Sequence, residues 1–416
     1  MTLSCFELGE RMLSVAEAHA ALEALFVTPL GTERLPLEAL LGRVLAEPLV
    51  SPIDVPQNTN AAMDGVALAW PERPVRRWPV VGEVLAGQRW AQPLAAGTAL
   101  RITTGAPLPA GADTVIMSEQ LEARGDQAVE ISRTERIQRG QNVRQAGEDI
   151  ACGQRVLEAG TRLQPQHLGL LASLGLAEAW VYRRPRVAIF STGDEVTAPG
   201  QPLPATGIYD ANRYTLHGML TRLGAEVCDL GILADRRDEV VSALGDAARD
   251  HDMLITSGGV SVGQADWIKA ALSELGELGF WRIAIRPGRP LACGRLGARQ
   301  IPFFGLPGNP VAVMVTFLEF VQPVLRRLQG EPDWQPSRLT ARSEAPLKSR
   351  LERVDFLRGI YRCDADGQLW VRSTGAQGSG ILSSMSAANC LIEIDASRAG
   401  VAGGETVTLQ PFDSLI

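Results

Sequence analysis

Apolar residues near the start of the chain recur at helical spacing: Val15, Ala18, Leu22 and Leu25 share one face of residues 14–26. Ser14 precedes them and Glu17 follows three positions later, the arrangement of a capping box, so a helix is predicted there. Leu35 to Leu49 is a second amphipathic stretch, which runs into Pro52 and Pro56. From about residue 51 to 149, Gly and Pro recur every few positions between short β-prone runs such as Leu100–Thr103 and Thr114–Met117. That texture predicts an all-β region of short strands and tight turns. Helical texture returns over 161–182, ending near Gly175.

Residues 186–330 alternate. Strands are predicted at Val187–Phe190, Glu226–Ile232, Met253–Thr256 and Ile301–Leu306. Helices are predicted at Asn212–Leu223, Arg237–Arg249, Ala265–Leu275 and Val311–Leu328. Repeated βα units of this length imply a mostly parallel sheet covered on both faces. Beyond about residue 332 the pattern is β again, with alternation in Leu391–Ile394 and Glu405–Leu409, which predicts a separate small β domain.

The composition excludes more than it adds. A chain of 416 residues, 45% apolar and 21% charged, fits a globular protein of about two to three domains. No window approaches about 18 uninterrupted apolar residues, and no basic segment followed by an apolar run opens the chain. Neither a membrane span nor a secretory signal is therefore expected. A net charge of −7 argues against bulk nucleic-acid binding. The six cysteines are scattered without C-x-x-C spacing, which points to free thiols in a reducing cytoplasm. Of the 40 basic residues only Lys269 and Lys348 are lysine.

Ligands of parallel α/β sheets bind where strands end and helices begin. Three polar, glycine-bearing loops follow predicted strands: Ser191–Glu195, Ser257–Gly263 and Gly305–Pro310. Ser257–Gly263 suits a phosphate, because glycines let backbone N–H groups approach an anion, but it lacks the Walker ending and a plain tight turn explains it equally well. Glu195, Asp210, Asp235 and Asp266 stand at loop positions. Converging carboxylates hold Mg²⁺ beside a phosphate substrate, while Asp210 and Asp235 equally suit helix caps or turns. Arg286 and Arg289, set among Pro287, Gly288 and Pro290, suit an oxyanion if they project together, and are solvated surface residues otherwise.

Taken together these segments resemble the molybdopterin molybdenumtransferase family, which includes bacterial MoeA, plant Cnx E domains and the gephyrin E domain. Eight segments stand in family order: Ala62–Gly65, Thr104–Pro107, Ala146–Asp149, Ser191–Glu195, Tyr209–Arg213, Ser257–Gly263, Gly305–Pro310 and Gln377–Ser379. The resemblance implies a multidomain α/β plus β fold. Its central, mostly parallel α/β domain, similar to the molybdopterin adenylyltransferase fold, would occupy 1–26 and 178–331. An elongated linker domain would occupy 27–50 and 150–177, a β-rich domain 51–149, and a small C-terminal β-barrel-like domain 332–416.

The resemblance also implies the last step of molybdenum cofactor assembly. Molybdate is inserted into adenylylated molybdopterin, with Mg²⁺-dependent cleavage of the adenylyl group to give Mo-molybdopterin and AMP. It implies a homodimer whose site lies between the α/β domain of one subunit and the β-rich domain of the other. Molybdopterin adenylyltransferase would supply the substrate, and apo-molybdoenzymes or their chaperones would take the product; nucleic acid and membrane are not expected partners. Carried over by position, Asp64, Thr104, Asp149, Glu195, Asp235 and Asp266 are the catalytic residues, with Glu195, Asp235 and Asp266 on the metal. Ser257, Gly258, Gly259, Ser261 and Gly263 would cradle phosphate and pyrophosphate, with Pro307, Gly308 and Asn309 beside them. Arg282, Arg286 and Arg289 stand where the family usually has Lys, and Arg358 and Ser379 are implied molybdate contacts. The chain departs from the pattern at Asn58, Thr59 and Ala61, where F-D-N-S is usual before A-M-D-G, and at Val66, where an aromatic is usual. Those changes motivate an alternative: a specialised paralogue that inserts tungstate, or a pterin-binding dimeric scaffold.

Overall fold

The computed structural model describes residues 11–26, 28–123, 127–233, 236–258 and 275–415. The chain divides into two compact units: Met1–Glu33 with Gly42–Ala46 and Val181–Ile416, and Arg34–Leu41 with Glu47–Trp180.

The first unit opens on the expected helix, Val15–Leu25. The Ser14 hydroxyl accepts from Glu17 N, the Glu17 carboxylate accepts from Ser14 N, and Ala18 and Leu22 are buried. The seven strands of the main sheet lie in the order Met12–Leu13, Gly276–Ile283, Pro290–Leu296, Ile301–Leu306, Met253–Ser257, Arg186–Thr192, Glu226–Leu233. The last four are mutually parallel, so the mostly parallel sheet is present, and Pro290–Leu296 runs antiparallel to both neighbours. Alternate residues of the central strands feed opposite faces. Val187, Ile189, Met253 and Ile255 pack with Leu216, Met219 and Leu220 of the helix Ala211–Arg222. Ala188, Phe190 and Leu254 pack with Val240 and Leu244 of the helix Arg237–Asp250.

The long apolar helix runs from Pro310 to Leu328, with a π-helical turn over Phe317–Val321. The helix expected over Ala265–Leu275 lies almost wholly outside the described residues. The strand pair Gly276–Ile283 and Pro290–Leu296 is not among the strands predicted above, and its glycines are not turn positions. They serve close approach instead: a Cβ on Gly276 or Gly294 would sit 2.0 Å from the facing carbonyl oxygen of Arg295 or Glu277. At the C-terminal end Val354–Cys363, Leu369–Ser373, Leu339–Ser343, Thr406–Pro411 and Cys390–Ile394 pair in a ring that closes on itself, a small barrel without free edges.

The second unit is β-rich. Its six-stranded sheet runs Thr114–Met117, Gly65–Leu68, Ala99–Ile102, Arg77–Val84, Ala128–Ile131, Leu121–Ala123. Gly65 is required by the sheet, since a Cβ there would fall 1.8 Å from Ile116 O. Two expectations are corrected. The amphipathic stretch Leu35–Leu49 forms no helix beyond a 3₁₀ turn at Leu37–Ala39; it begins in the strand Thr32–Pro36, turns at Gly42 (φ +73°) and ends in the strand Leu49–Val50. The helical texture over 161–182 divides into a helix Pro165–Ser173, Gly175 at φ +73°, and a strand Glu178–Tyr182. Among the described residues no helix is long and apolar enough to cross a membrane.

Candidate functional site

Register brings three sequence-predicted loops together. Ser191 pairs with Ser257 and Ser257 with Leu306, so the chain leaves adjacent parallel strands side by side at Thr192, Gly258 and Pro307. The Ser191 and Ser257 hydroxyls lie 3.4 Å apart, and Gly258 N donates to Leu306 O. Gly258 has φ +86° and a Cβ there would meet Thr192 O at 3.1 Å, so the turn needs glycine. Gly193, at φ +128°, leaves room for the Glu195 carboxylate, which a Cβ would meet at 2.8 Å.

These loops border a cavity of about 960 Å³ whose lining includes Glu195, Gly258, Arg286, Arg289, Pro307, Gly308, Asn309 and Ser379. A neighbouring cavity of about 250 Å³ is lined by Ser257, Thr192 and Asn212 and shares Glu195, Gly258 and Gly308 with the first. Asn212 Nδ2 donates to Gly308 O at 2.8 Å, which ties the helix Ala211–Arg222 to the Pro307–Asn309 loop. Asp210 takes the cap alternative: Arg213 N and Nε donate to it at 3.2 and 2.8 Å.

Arg286 and Arg289 do project into one space. The turn between them lies against the long helix, because Gly288 sits where a Cβ would come within 2.5 Å of Thr316 Cγ2, and Ile283 N donates to Arg289 O. Two further arginines line the cavity, Arg350 and Arg353, which no motif marked among so many arginines. Arg353 pairs at 2.8 Å with Asp355, whose side chain is fully buried. Arg286, Arg289 and Arg350 have no carboxylate partner among the described residues, and Glu195 is the one carboxylate of the described lining.

Two expected contacts are placed otherwise. Arg282 is exposed and outside the described lining. Arg358 is 1% exposed and lies behind the wall. Its Nε donates to Ser384 Oγ at 3.0 Å and its Nη2 to Gly378 O at 3.1 Å. Gln377 accepts from Arg358 N and donates to Arg358 O, and Val311 N donates to Ser379 O. Arg358 thus positions the Gln377–Ser379 loop. Burial, then the charge of Arg286, lowers its pKa to about 10. The sequence motif identified the right loop but not which arginine faces it.

Asp64, Thr104 and Asp149 belong to the second unit. Thr104 N and Oγ1 donate to Asp64 Oδ1 at 2.7 and 2.8 Å, and these bonds, the backbone one foremost, hold the exposed Asp64 carboxyl below its usual range. Asp149 is exposed, with its N–H on Val55 O. Among the departures, Val66 is fully buried in the sheet, Ala61 is buried beside Val143, and the Thr59 hydroxyl accepts from Ala146 N. Each has a packing or turn role of its own. Asp235, Gly259, Ser261, Gly263 and Asp266 lie outside the described residues.

Comparison with known proteins agrees with this layout. Residues 13–175 match the MoeA N-terminal region (domain I and II), 188–327 a probable molybdopterin binding domain, and 340–412 the MoeA C-terminal region (domain IV). A protein of Haemophilus influenzae named molybdopterin molybdenumtransferase is 42% identical over 97% of this chain and 100% of its own. One of the same name from Nostoc sp. is 35% identical, covering 90% and 88%. The crystal structure of a molybdopterin biosynthesis MoeA protein from Pyrococcus horikoshii aligns over 97% of this chain and 99% of its own, with a TM-score of 0.80 and 32% identity. A second such structure from that organism gives 0.83 and 29%, over 97% and 100%.

Proposed function

The chain belongs to the molybdopterin molybdenumtransferase family, and on that premise we propose that it completes the molybdenum cofactor as a transferase. It takes adenylylated molybdopterin and molybdate, releases AMP and leaves molybdenum on the pterin dithiolene. The observation that carries this reading is the cavity at the strand ends: Arg286 and Arg289, without a carboxylate partner among the described residues, share one space with Glu195 and Ser379, with the Ser257–Gly258 turn and the Pro307–Asn309 loop bordering it. Guanidinium forks attract a tetrahedral oxyanion, and the loop N–H groups attract phosphate.

Mg²⁺ fits this donor set. Glu195 offers a carboxylate with no hydrogen-bond or ion-pair partner among the described residues. Among the described residues no group of three His, Cys, Asp or Glu side chains forms a ready cage there. Mg²⁺ is ordinarily held by one or two carboxylates, waters and substrate phosphates, so Glu195, with Asp235 and Asp266, would hold it. When bound, the ion neutralises pyrophosphate charge as the adenylyl link breaks. Arg286 and Arg289 then orient the oxyanion, and Arg358 keeps Ser379 in register. Asp64, Thr104 and Asp149 act from a second copy of the chain in a homodimer. We place the enzyme in the cytoplasm, receiving substrate from an adenylyltransferase and passing product to apo-molybdoenzymes or their chaperones.

The test is reconstitution with purified protein, adenylylated molybdopterin, Mg²⁺ and molybdate. Molybdate-dependent AMP release together with activation of an apo-molybdoenzyme is the expected result. Tight pterin binding with no AMP release would overturn it in favour of a carrier.

A further inference from the structure

The turn between Lys348 and Val354 presents two arginines to the cavity and uses them differently. Arg353 is held by buried Asp355 at 2.8 Å. Arg350 is exposed, lines the same wall and has no acidic partner among the described residues. Its backbone is nonetheless well fixed. Ser349 N donates to Ala399 O, Glu352 N to Ala396 O and Val354 N to Ala284 O. Ile285–Arg286 pairs in parallel with Val354–Asp355, so the turn carrying Arg350 is stitched to the strand that carries Arg286. Glu352 sits at φ +67°, a conformation that a side chain other than glycine holds only where its surroundings impose it.

Three guanidinium groups without a carboxylate partner among the described residues line one cavity and repel one another, and the single carboxylate of the described lining does not neutralise them. A tetrahedral dianion does. We propose that Arg350 is a third oxyanion-binding guanidinium of this cavity, acting in binding and not in bond cleavage. The inference rests on the reading of the cavity given above. The ligand chemistry is a dianionic tetrahedral oxyanion, supplied either as free molybdate or as a phosphoryl group of the pterin substrate.

The test uses the full-length protein. Molybdate alone is titrated calorimetrically into wild type, Arg350→Gln and Arg350→Lys at low and physiological salt, and KM for each substrate is measured. Loss of one solvent-exposed charged contact weakens binding by up to about 5-fold. Arg350→Gln is expected to bind molybdate about that much more weakly, with a smaller salt dependence and kcat within about twofold. Arg350→Lys recovers part of the affinity. A rise confined to the KM for adenylylated molybdopterin would support the same role with a phosphoryl group as the ligand. Unchanged affinity and unchanged KM values in Arg350→Gln would overturn the proposal while leaving the wider reading intact. A wild-type protein that neither binds molybdate nor releases AMP would instead overturn that reading itself. Thermal unfolding of each variant shows whether it is folded; an exposed arginine without an ionic partner is expected to leave the midpoint unchanged or slightly raised.

Discussion

Around Asp252 the first unit gathers arginines much as it does around its large cavity, yet the two regions treat them in opposite ways. Asp252 is 3% exposed. It accepts two bonds from Arg183 at 2.6 and 2.7 Å, one from Arg299 at 2.9 Å and one from Arg186 N at 2.9 Å. Burial by itself would raise its pKa; the Arg183 bonds, the Arg186 N–H and Arg299 outweigh that and hold the carboxyl below its ordinary value. At the cavity Arg286, Arg289 and Arg350 are left without such a partner among the described residues. Where charge serves the fold, the chain supplies the counter-charge itself. On the function proposed above, the cavity leaves counter-charge for the ligand to bring, no described residue supplying it.

Asp252→Ala breaks the first region. It strands Arg183 and Arg299 beside an unsatisfied Arg186 N–H, and should cost about 3 kcal/mol in a urea titration, toward the low end for buried pairs because both arginines are partly solvated. A loss under about 1 kcal/mol would mean the pairing is incidental. Arg286→Gln tests the other side: kcat/KM for molybdate should fall by about 100-fold, as for loss of one preorganised donor, with no loss of stability. Equal losses of stability in both variants would erase the distinction.

Buried Glu319 sharpens the same comparison, for it is a charge the fold neutralises by protonation. On the π-helical turn it is 3% exposed, and burial, then the nearby charge of Glu393, raises its pKa to about 8. A carboxyl whose pKa is higher in the fold than in the unfolded chain stabilises the fold fully below about pH 4.5 and loses that contribution as pH rises through about 8. Stability should therefore fall by about 1.4 kcal/mol per pH unit over that window relative to Glu319→Gln. Parallel pH profiles would show that Glu319 is charged. The smallest effect is expected in the second unit, where Asp64→Asn loosens the hold on Thr104 and should lower AMP release by about 10-fold, the lower end for a partner that orients a site group. Its thermal midpoint should be essentially unchanged, as for exposed sites generally.

Much of this was legible in the chain. Ser14 and Glu17 mark a cap that forms, and the βα alternation gives a parallel sheet whose register aligns Ser191, Ser257 and Leu306. That the glycine loops gather at adjacent strand ends, where ligands of such sheets bind, was readable too. Non-local contacts were not readable. The need for glycine at Gly276 and Gly294 shows only once the facing strand is seen, and Leu35–Leu49 is amphipathic without being helical. Arg350 and Arg358 look alike in sequence, and only the closure of the barrel sends Arg358 inward to Ser384 while Arg350 reaches the cavity.

The central claim is that unpaired arginines of the first unit hold the oxyanion. It is tested most directly by anomalous diffraction at the molybdenum edge from crystals soaked in molybdate. The account predicts a peak in the large cavity within hydrogen-bond reach of Arg286, Arg289 and Ser379, and its loss in Arg286→Gln crystals. A cavity without a peak at saturating molybdate, or a peak that survives Arg286→Gln unchanged, would contradict it.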